Sequence, residues 1–257
     1  MRDFIDLALS TEEAERVYHI RPELKEGCPT CEGNSTYRWQ GQDHDCDCQR
    51  QLQLAKHYTA AGIGKDFQRL SLDDWHGDEQ IRQEIEHYLE HWKGYVDLGR
   101  GIIFYGDYGT GKTFLANMIL KYLVREGVRC YATTFSDMIE EFTATWGDKT
   151  KKQWFQDTFM YTGVLLLDEL GREGRSSHNL PQSTFDRILR NRVQNARPTL
   201  LTTNIKPDDL DLGYGGAVLS QLKRSCFTVE VTGSDYGPTN FRLGNAQVSA
   251  QERRPVV

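Results

Sequence analysis

The sequence predicts an α/β fold class: a five-stranded parallel sheet with flanking helices, preceded by a small zinc-stabilised N-terminal domain. Beyond residue 100, strand-like and helix-like segments alternate, which is typical of a parallel sheet covered on both faces. A glycine-rich stretch, Gly106–Thr113, lies between an apolar run and an amphipathic segment, and four cysteines fall within 21 residues nearer the N-terminus. We expect strands at 102–105, 128–133, 163–168, 199–203 and 227–232, and helices at 112–126, 135–145, 181–195 and 216–225.

The glycine-rich stretch matches the pattern G-x-x-x-x-G-K-T in the strand–loop–helix context of a phosphate-binding loop. Glycines let successive backbone N–H groups point at an anion, and the next helix aims its positive dipole end there. Lys112 is expected to reach the terminal phosphates of a nucleoside triphosphate, and Thr113 to hold Mg²⁺. A chance glycine-rich turn is the alternative. The predicted nucleotide-binding residues are Gly106, Asp107, Tyr108, Gly109, Thr110, Gly111, Lys112 and Thr113.

Two acidic residues close the apolar run that ends at Leu167. A carboxylate at the carboxyl end of a parallel strand lies beside the phosphate loop, so Asp168 is expected on the Mg²⁺ side of the nucleotide. Glu169 is then the candidate base that polarises the attacking water. Asn204 follows a second strand that is expected to be buried. Its amide would hold that water near the γ-phosphate; a simple turn residue is the alternative.

The cysteines form two pairs, with the spacing C-x₂-C-x₁₄-C-x-C. Two close pairs separated by a loop supply four soft ligands, which is what a structural zinc site needs. His44 is a possible substitute for one cysteine, while a redox motif or free surface thiols are the alternatives. The expected zinc ligands are Cys28, Cys31, Cys46 and Cys48, whereas Cys130 and Cys226 are expected in the core.

Composition points to a soluble, cytoplasmic protein. The longest apolar runs are far shorter than a membrane span, and the N-terminus carries acids where a signal peptide needs basic residues. Residues 1–100 have a net charge of −8 and residues 101–257 a net charge of +2. The acidic first part therefore favours a protein partner over nucleic acid. One basic cluster, interpreted as a solvated helix face, comprises Arg187, Arg190, Arg192 and Arg197.

These motifs together resemble the AAA+ replicative helicase loaders of the DnaC/DnaI type and the IstB-type transposition ATPases. The resemblance lies in the phosphate loop, in Leu165–Gly171 and in Arg197–Asn204, and covers roughly residues 60–235. The cysteine module resembles the zinc domain of the DnaI branch, which the transposition helpers usually lack. The resemblance predicts a helicase-interacting zinc domain at 1–60, a linker within 61–98, an AAA+ ATPase domain at 99–243 and a flexible tail at 244–257. Apolar residues at helical spacing from Ile81 to Trp92 predict one amphipathic helix over residues 78–98.

The resemblance also implies what the protein does. Bound to ATP and Mg²⁺, it would load a hexameric DnaB-type helicase onto single-stranded DNA, self-associate into a ring or spiral, and hydrolyse ATP slowly as a regulatory step. Such a loader would be encoded by a bacterium or a phage. Two other functions remain open: a transposition helper that binds duplex DNA and recruits a transposase, and a stand-alone enzyme such as a small-molecule kinase.

Arginine and DNA contacts follow less directly from the family pattern. Loaders commonly carry Asp-Arg in the finger helix where this chain has Ser220-Gln221, so Arg224, with Lys223 beside it, is the candidate finger. The family's terminal Tyr-Arg is also altered, since Tyr236 is followed by Gly-Pro and an arginine returns only at Arg242. The predicted single-strand contacts combine an aromatic side chain with basic ones, and Trp146 has core packing as its alternative role. They are Trp146, Lys149, Lys151 and Lys152.

Overall fold

The computed structural model describes residues 31, 32, 34, 36–171, 180–233 and 256. The chain divides into two compact units, and the boundary between the described parts of the two falls between Ser71 and Leu72. Residues 1–20, where apolar residues at helical spacing predict a helix, lie outside the described residues. So do Tyr236, Arg242 and the expected tail at 244–257, apart from Val256. Among the described helices, none has both the length and the apolar character that crossing a membrane requires.

The first unit contains a short hairpin followed by helices. Strands β1 (Thr36–Trp39) and β2 (Gln42–Asp45) pair antiparallel, with Thr36 opposite Asp45. The two turn residues between them both have positive φ, which matches the right-handed twist of a hairpin. Helix α1 (Asp47–Ala60) begins at the second cysteine pair and is followed by the short α2 (Lys65–Gln68).

The second unit is a five-stranded parallel sheet with helices, so the predicted fold class is confirmed. The strand order is β4-β5-β6-β3-β7. The strands are β3 (Gly101–Tyr105), β4 (Cys130–Thr134), β5 (Val164–Leu170), β6 (Thr199–Thr203) and β7 (Cys226–Glu230). The helices are α3 (Glu79–Glu90), α4 (Trp92–Asp97), α5 (Lys112–Arg125), α6 (Phe135–Ala144), α7 (Lys149–Phe155), α8 (Leu180–Gln194), α9 (Leu210–Tyr214) and α10 (Gly216–Ser225).

The centre of the sheet is apolar because its inner strands are covered on both faces. The first four residues of β5 and all five of β6 are buried, as expected for parallel strands enclosed by helices. Helix α5 buries residues around most of its circumference and contacts the central strands. This packing holds the carboxyl ends of β3, β5 and β6 at one edge of the sheet, where the predicted nucleotide site lies.

The amphipathic helix expected between residues 78 and 98 is in fact two helices. Helix α3 begins after Asp78, whose carboxylate accepts a hydrogen bond from the Gln80 N–H at 2.8 Å. It ends at His91, where φ is −107° and ψ is 17°, and α4 starts at the next residue. The break lets Tyr95 stack on Tyr88 with ring centroids 4.7 Å apart. Apolar spacing alone does not reveal it.

The segment between β4 and β5 contains structure that we did not predict. Helix α7 continues directly into a π-helical turn at Gln156–Met160. That turn places Phe159 in the core, where its ring packs against Phe155 at a centroid distance of 4.4 Å. Phe155 and Phe159, four residues apart, therefore lie together on the buried face of this segment.

Candidate functional site

The glycines of the loop after β3 adopt backbone conformations that other residues rarely occupy. Gly106 has φ +142°, and a Cβ there would lie 2.2 Å from the Val231 carbonyl oxygen. Gly111 has φ +95°, and a Cβ there would lie 2.7 Å from Cζ3 of Trp75. The loop is therefore a tight backbone cradle, as a phosphate-binding loop requires.

Lys112 lies inside that cradle. Its ammonium donates hydrogen bonds to the carbonyl oxygens of Gly106, at 3.0 Å, and of Asp107. The Thr110 hydroxyl donates to the same Asp107 oxygen at 3.0 Å. A buried ammonium held among backbone dipoles at a helix N-terminus favours an anion, so the loop fits the phosphates of a nucleotide. Tyr108, at the outer side of the loop, is exposed.

Thr113 and Asp168 meet across the site. The Thr113 hydroxyl, in the first turn of α5, lies 2.9 Å from Oδ1 and 3.2 Å from Oδ2 of Asp168, at the end of β5. One hydroxyl and one carboxylate are hard oxygen ligands, which is the donor set that Mg²⁺ prefers when it also binds phosphates. The two residues predicted to hold Mg²⁺ are thus brought together and fit that ion.

Burial raises the pKa of Asp168 above its ordinary value. Hydrogen bonds from Thr202 and Thr113 act in the opposite direction, while the neighbouring Glu169 charge adds to the rise. Desolvation is the largest of these effects because the carboxyl group is mostly enclosed. A divalent cation would favour the ionised form and offset this cost.

Thr202 is a residue of this site that sequence reasoning missed. Its hydroxyl, on β6, donates to Asp168 Oδ1 and accepts the Glu169 backbone N–H at 2.9 Å. Glu169 has φ +60°, and the pairing register between β5 and β6 shifts between Leu167 and Leu170. The bulge turns Glu169 out of the regular ladder, a device that re-aims side chains near functional sites. The sequence signal for Thr202 is weak, since three of the five residues of β6 are threonines.

Trp75 is a second residue of the site that we did not predict. Its indole stacks on Phe114 with ring centroids 6.1 Å apart and packs against Gly111. The indole N–H donates to the Asp78 carbonyl at 3.0 Å, which fixes the ring. Trp75 therefore supports the loop from the side of the segment that precedes α3.

The remaining predicted catalytic residues lie at exposed positions. Asn204 follows β6 directly and is exposed. Arg224 is exposed near the C-terminal end of α10, whereas Lys223 beside it forms an ion pair with Asp208 at 2.7 Å. Within the described residues, no hydrogen bond or ion pair engages the Arg224 guanidinium. The structure does not bring Arg224 into contact with the loop of its own chain, and its role stays a prediction.

Three of the four predicted zinc ligands converge in the first unit. The sulfurs of Cys31, Cys46 and Cys48 lie within 4.8 Å of one another and all three residues are buried. Cys31 Sγ and Cys48 Sγ are 3.6 Å apart. This is close to the separation of about 3.8 Å that two Zn–S bonds of about 2.3 Å make at the tetrahedral angle. The cluster therefore fits zinc. Cys28 lies outside the described residues.

His44, the alternative zinc ligand, is not part of this cluster as described. It is exposed on β2, and its ring stacks on Tyr37 with centroids 5.6 Å apart. The other two cysteines, Cys130 and Cys226, are buried, and burial raises the pKa of both thiols, that of Cys226 to about 11. They are core residues and not reactive thiols.

The predicted DNA contacts form an exposed surface around the start of α7. Trp146 is 67% exposed, so core packing is not its role. Asp148 caps α7 by accepting the N–H groups of Thr150 and Lys151 at 2.8 and 3.0 Å. The exposed side chains, here called the Trp146 surface, are Trp146, Lys149, Lys151 and Lys152.

Comparison with known proteins assigns most of this chain to one family. A model of the IstB-like ATP binding protein family matches residues 65–240. The replicative helicase loader DnaI of Bacillus subtilis (strain 168) is 24% identical over 164 residues, covering 63% of this chain and 51% of DnaI. This chain thus spans about half the length of that relative.

Other relatives give the same picture. The replicative helicase loader DnaC of Escherichia coli (strain K12) is 22% identical over 179 residues, which cover 68% of this chain and 71% of DnaC. A crystal structure of the DnaC helicase loader superposes with a TM-score of 0.59 at 23% identity, covering 66% of this chain and all of that one. The predicted resemblance is confirmed: this chain belongs to the IstB-like ATP-binding protein family and shares the fold of the DnaC and DnaI loaders.

Proposed function

We propose that this protein is an ATP-dependent loader that places a hexameric DnaB-type replicative helicase on single-stranded DNA. The observation that carries the choice is the cysteine cluster of the first unit, where three buried sulfurs lie within 4.8 Å. A metal-stabilised module ahead of the ATPase core is typical of the DnaI branch of loaders. It would supply the grip on the helicase, in keeping with the net charge of −3 over residues 1–71, which hold 12 acidic and 9 basic residues.

The nucleotide site supports a regulatory ATPase. Lys112 and the loop N–H groups would bind the phosphates, while Thr113 and Asp168 would hold Mg²⁺, which neutralises phosphate charge when bound. Glu169 is the proposed base for the attacking water and Asn204 the proposed group that positions it. Arg224 would complete the site of a neighbouring copy, so hydrolysis would depend on assembly and would be slow in the isolated chain.

A glutamine in place of Glu169 tests the hydrolytic role. Glu169→Gln keeps the size and hydrogen-bonding capacity of the side chain but removes the base, so ATP hydrolysis should fall by at least about 100-fold. Binding of a fluorescent ATP analogue should stay within about twofold, because Lys112 and Thr113 are untouched. Retained hydrolysis would exclude Glu169 as the base.

The loader function is tested by measuring the mass of the complexes that the protein forms with a helicase. The full-length protein, its zinc retained, is mixed with the replicative helicase of its host or phage in the presence of ATP and Mg²⁺, and the products are weighed by size-exclusion light scattering. A defined complex that Cys31→Ser/Cys46→Ser abolishes supports a loader with a zinc-domain grip. The matched control is Cys130→Ser, which replaces a buried cysteine of the second unit.

A transposition helper is the second candidate, and the match to the IstB-like family model favours it. In that case the protein would form ATP-dependent assemblies on duplex DNA and recruit a transposase, without any affinity for a helicase. Electron microscopy of the protein with ATP on duplex and on single-stranded DNA separates the two functions. Filaments on duplex DNA, together with no helicase complex, would replace the loader with the helper.

A further inference from the structure

Three potential metal ligands converge at the C-terminal end of α3, in the second unit. His87 and Glu90 lie on its last turn and His91 directly follows it. One ligand atom from each lies within 4.8 Å of the other two, and all three side chains are exposed. Two bonds of about 2.1 Å to one ion separate their ligand atoms by at most about 4.2 Å. The upper limit of 4.8 Å exceeds this separation only slightly, and small rotations of exposed side chains can bring the ligand atoms within it.

The orientation of His91 is set by the backbone. Its Nδ1 lies 3.0 Å from the His87 carbonyl oxygen. A carbonyl only accepts, so Nδ1 carries a proton, and in the neutral ring the lone pair is then on Nε2. This arrangement, in which one ring nitrogen donates to a carbonyl and the other binds the ion, is the usual one for metal-binding histidines. The two imidazole centroids are only 4.3 Å apart.

The local charge favours a cation at this place. The C-terminal end of a helix carries partial negative charge from its last carbonyl groups, and Glu90 adds a full one. The nearby basic groups are engaged elsewhere. Arg82 pairs with Glu86 and Asp73 at 2.9 Å each, and the Lys93 ammonium lies over the Trp92 ring.

We propose that His87, Glu90 and His91 form a binding site for a divalent transition-metal ion, such as Zn²⁺ or Ni²⁺. Two imidazole nitrogens and one carboxylate oxygen suit these ions, and water fills the remaining positions. The ligand set contains no sulfur, which distinguishes it from the cysteine cluster, and its nitrogen donors distinguish it from a Mg²⁺ site. Because His91 ends α3 and immediately precedes α4, a bound ion would also clamp the junction between these helices.

Calorimetry with Ni²⁺ as the probe tests this site. The full-length protein is prepared without a histidine tag, with zinc retained at the cysteine cluster and without nucleotide. The wild type should bind one Ni²⁺ per chain, and His87→Ala and His91→Asn should each weaken binding by at least about tenfold. The matched control His76→Ala removes an exposed histidine outside the cluster and should leave binding unchanged.

A spectroscopic measurement identifies the ligands directly. Electron paramagnetic resonance of the Cu²⁺-loaded protein should show coupling to two imidazole nitrogens in the wild type and to one in either histidine variant. Circular dichroism of each variant checks that the fold is kept, as expected for exposed side chains. The proposal is overturned if the wild type binds no Ni²⁺ beyond its zinc, or if His91→Asn binds it as tightly.

Discussion

At the scale of single residues, Thr202 connects the two acidic residues on which the proposed chemistry depends. Its hydroxyl donates to Asp168 and accepts the Glu169 N–H at 2.9 Å. It is a buried residue on the strand that ends next to Asn204. Any displacement of β6 would therefore reach the carboxylate that is proposed to face Mg²⁺. We expect Thr202 to be a positioning residue of the nucleotide site.

Replacing Thr202 with valine removes both hydrogen bonds at nearly constant volume. The Glu169 N–H loses its 2.9 Å acceptor, and the loss of the two hydrogen bonds should lower the free energy of unfolding by about 1–3 kcal/mol. The Asp168 carboxylate loses a donor, so the affinity for Mg²⁺–ATP should fall by several-fold, and Thr202→Ser should restore it. Denaturant unfolding and titration with Mg²⁺ at fixed ATP measure the two effects.

Thr203→Val is the matched control. The Thr203 hydroxyl donates to the Leu170 carbonyl at 2.8 Å and accepts the Ile205 N–H at 3.0 Å, so it loses the same number of bonds on the same strand. It touches neither acidic residue in these contacts. Equal losses of Mg²⁺–ATP affinity in the two variants would reduce Thr202 to a purely structural residue.

At the scale of elements, one buried arginine links α8 to the sheet and the segments beside it through hydrogen bonds. Arg192 is fully buried, and its guanidinium donates to the Thr199 hydroxyl and to four carbonyl groups. Those carbonyls belong to Phe159, Thr162, Gly163 and Pro198. Burial, and secondarily the charge of Arg197, lowers the pKa of Arg192 to about 9, so it stays protonated at neutral pH. Its assignment to a solvated helix face was wrong.

Arg192→Met should destabilise the second unit strongly. Methionine fills much of the volume but leaves several buried carbonyl groups without donors, a loss of roughly 3 kcal/mol or more in unfolding free energy. Arg190→Met, on the same helix, breaks only the exposed ion pair with Asp186 and should cost less than about 0.5 kcal/mol. Urea unfolding compares the two variants, and similar midpoint concentrations of urea would contradict the proposed stabilising role of Arg192.

Arg192 also shows why the sequence predicts some elements and not others. The apolar runs of β5 and β6 and the phosphate-loop motif are local signals, and the structure contains all three where they were expected. The role of Arg192 depends on carbonyl groups 6 to 33 residues away in the chain. The break at His91 and the π turn at Gln156–Met160 bring together aromatic residues only seven and four positions apart, so the local sequence does not distinguish these irregularities from a continuous α-helix. The hydrophobic periodicity of the sequence does not indicate which distant backbone groups a buried side chain will contact.

At the scale of the whole molecule, the two units should respond differently to loss of metal. All eight residues of the hairpin strands are exposed, so the hairpin and the cysteine cluster of the first unit should depend on the proposed zinc. The phosphate loop and Asp168 belong to the second unit, which has its own core. Chelation should therefore release zinc and abolish the helicase complex while ATP affinity stays within about twofold.

Zinc content and nucleotide affinity are measured on the same chelated sample. Adding zinc back should restore the helicase complex, which separates metal loss from irreversible damage. A zinc-free protein that still forms the complex would remove the proposed role of the cysteine cluster. A parallel loss of ATP affinity would show that the metal also supports the second unit.

DNA binding should likewise be a property of the assembly and not of one chain. The net charge of −6 opposes tight binding by a monomer, whereas the proposed ATP-dependent assembly would add one Trp146 surface per copy. With ATP and Mg²⁺, Trp146→Ala should weaken binding to oligo-dT by about 1–3 kcal/mol per stacked base. Lys151→Ala/Lys152→Ala should instead flatten the salt dependence, by about 0.7 in the logarithmic slope per lost phosphate contact.

Trp39→Ala, which removes a 61% exposed tryptophan of the first unit, is the control and should bind as the wild type does. Fluorescence anisotropy at several salt concentrations distinguishes stacking from charge, and unchanged binding by Trp146→Ala would exclude this surface as the DNA contact.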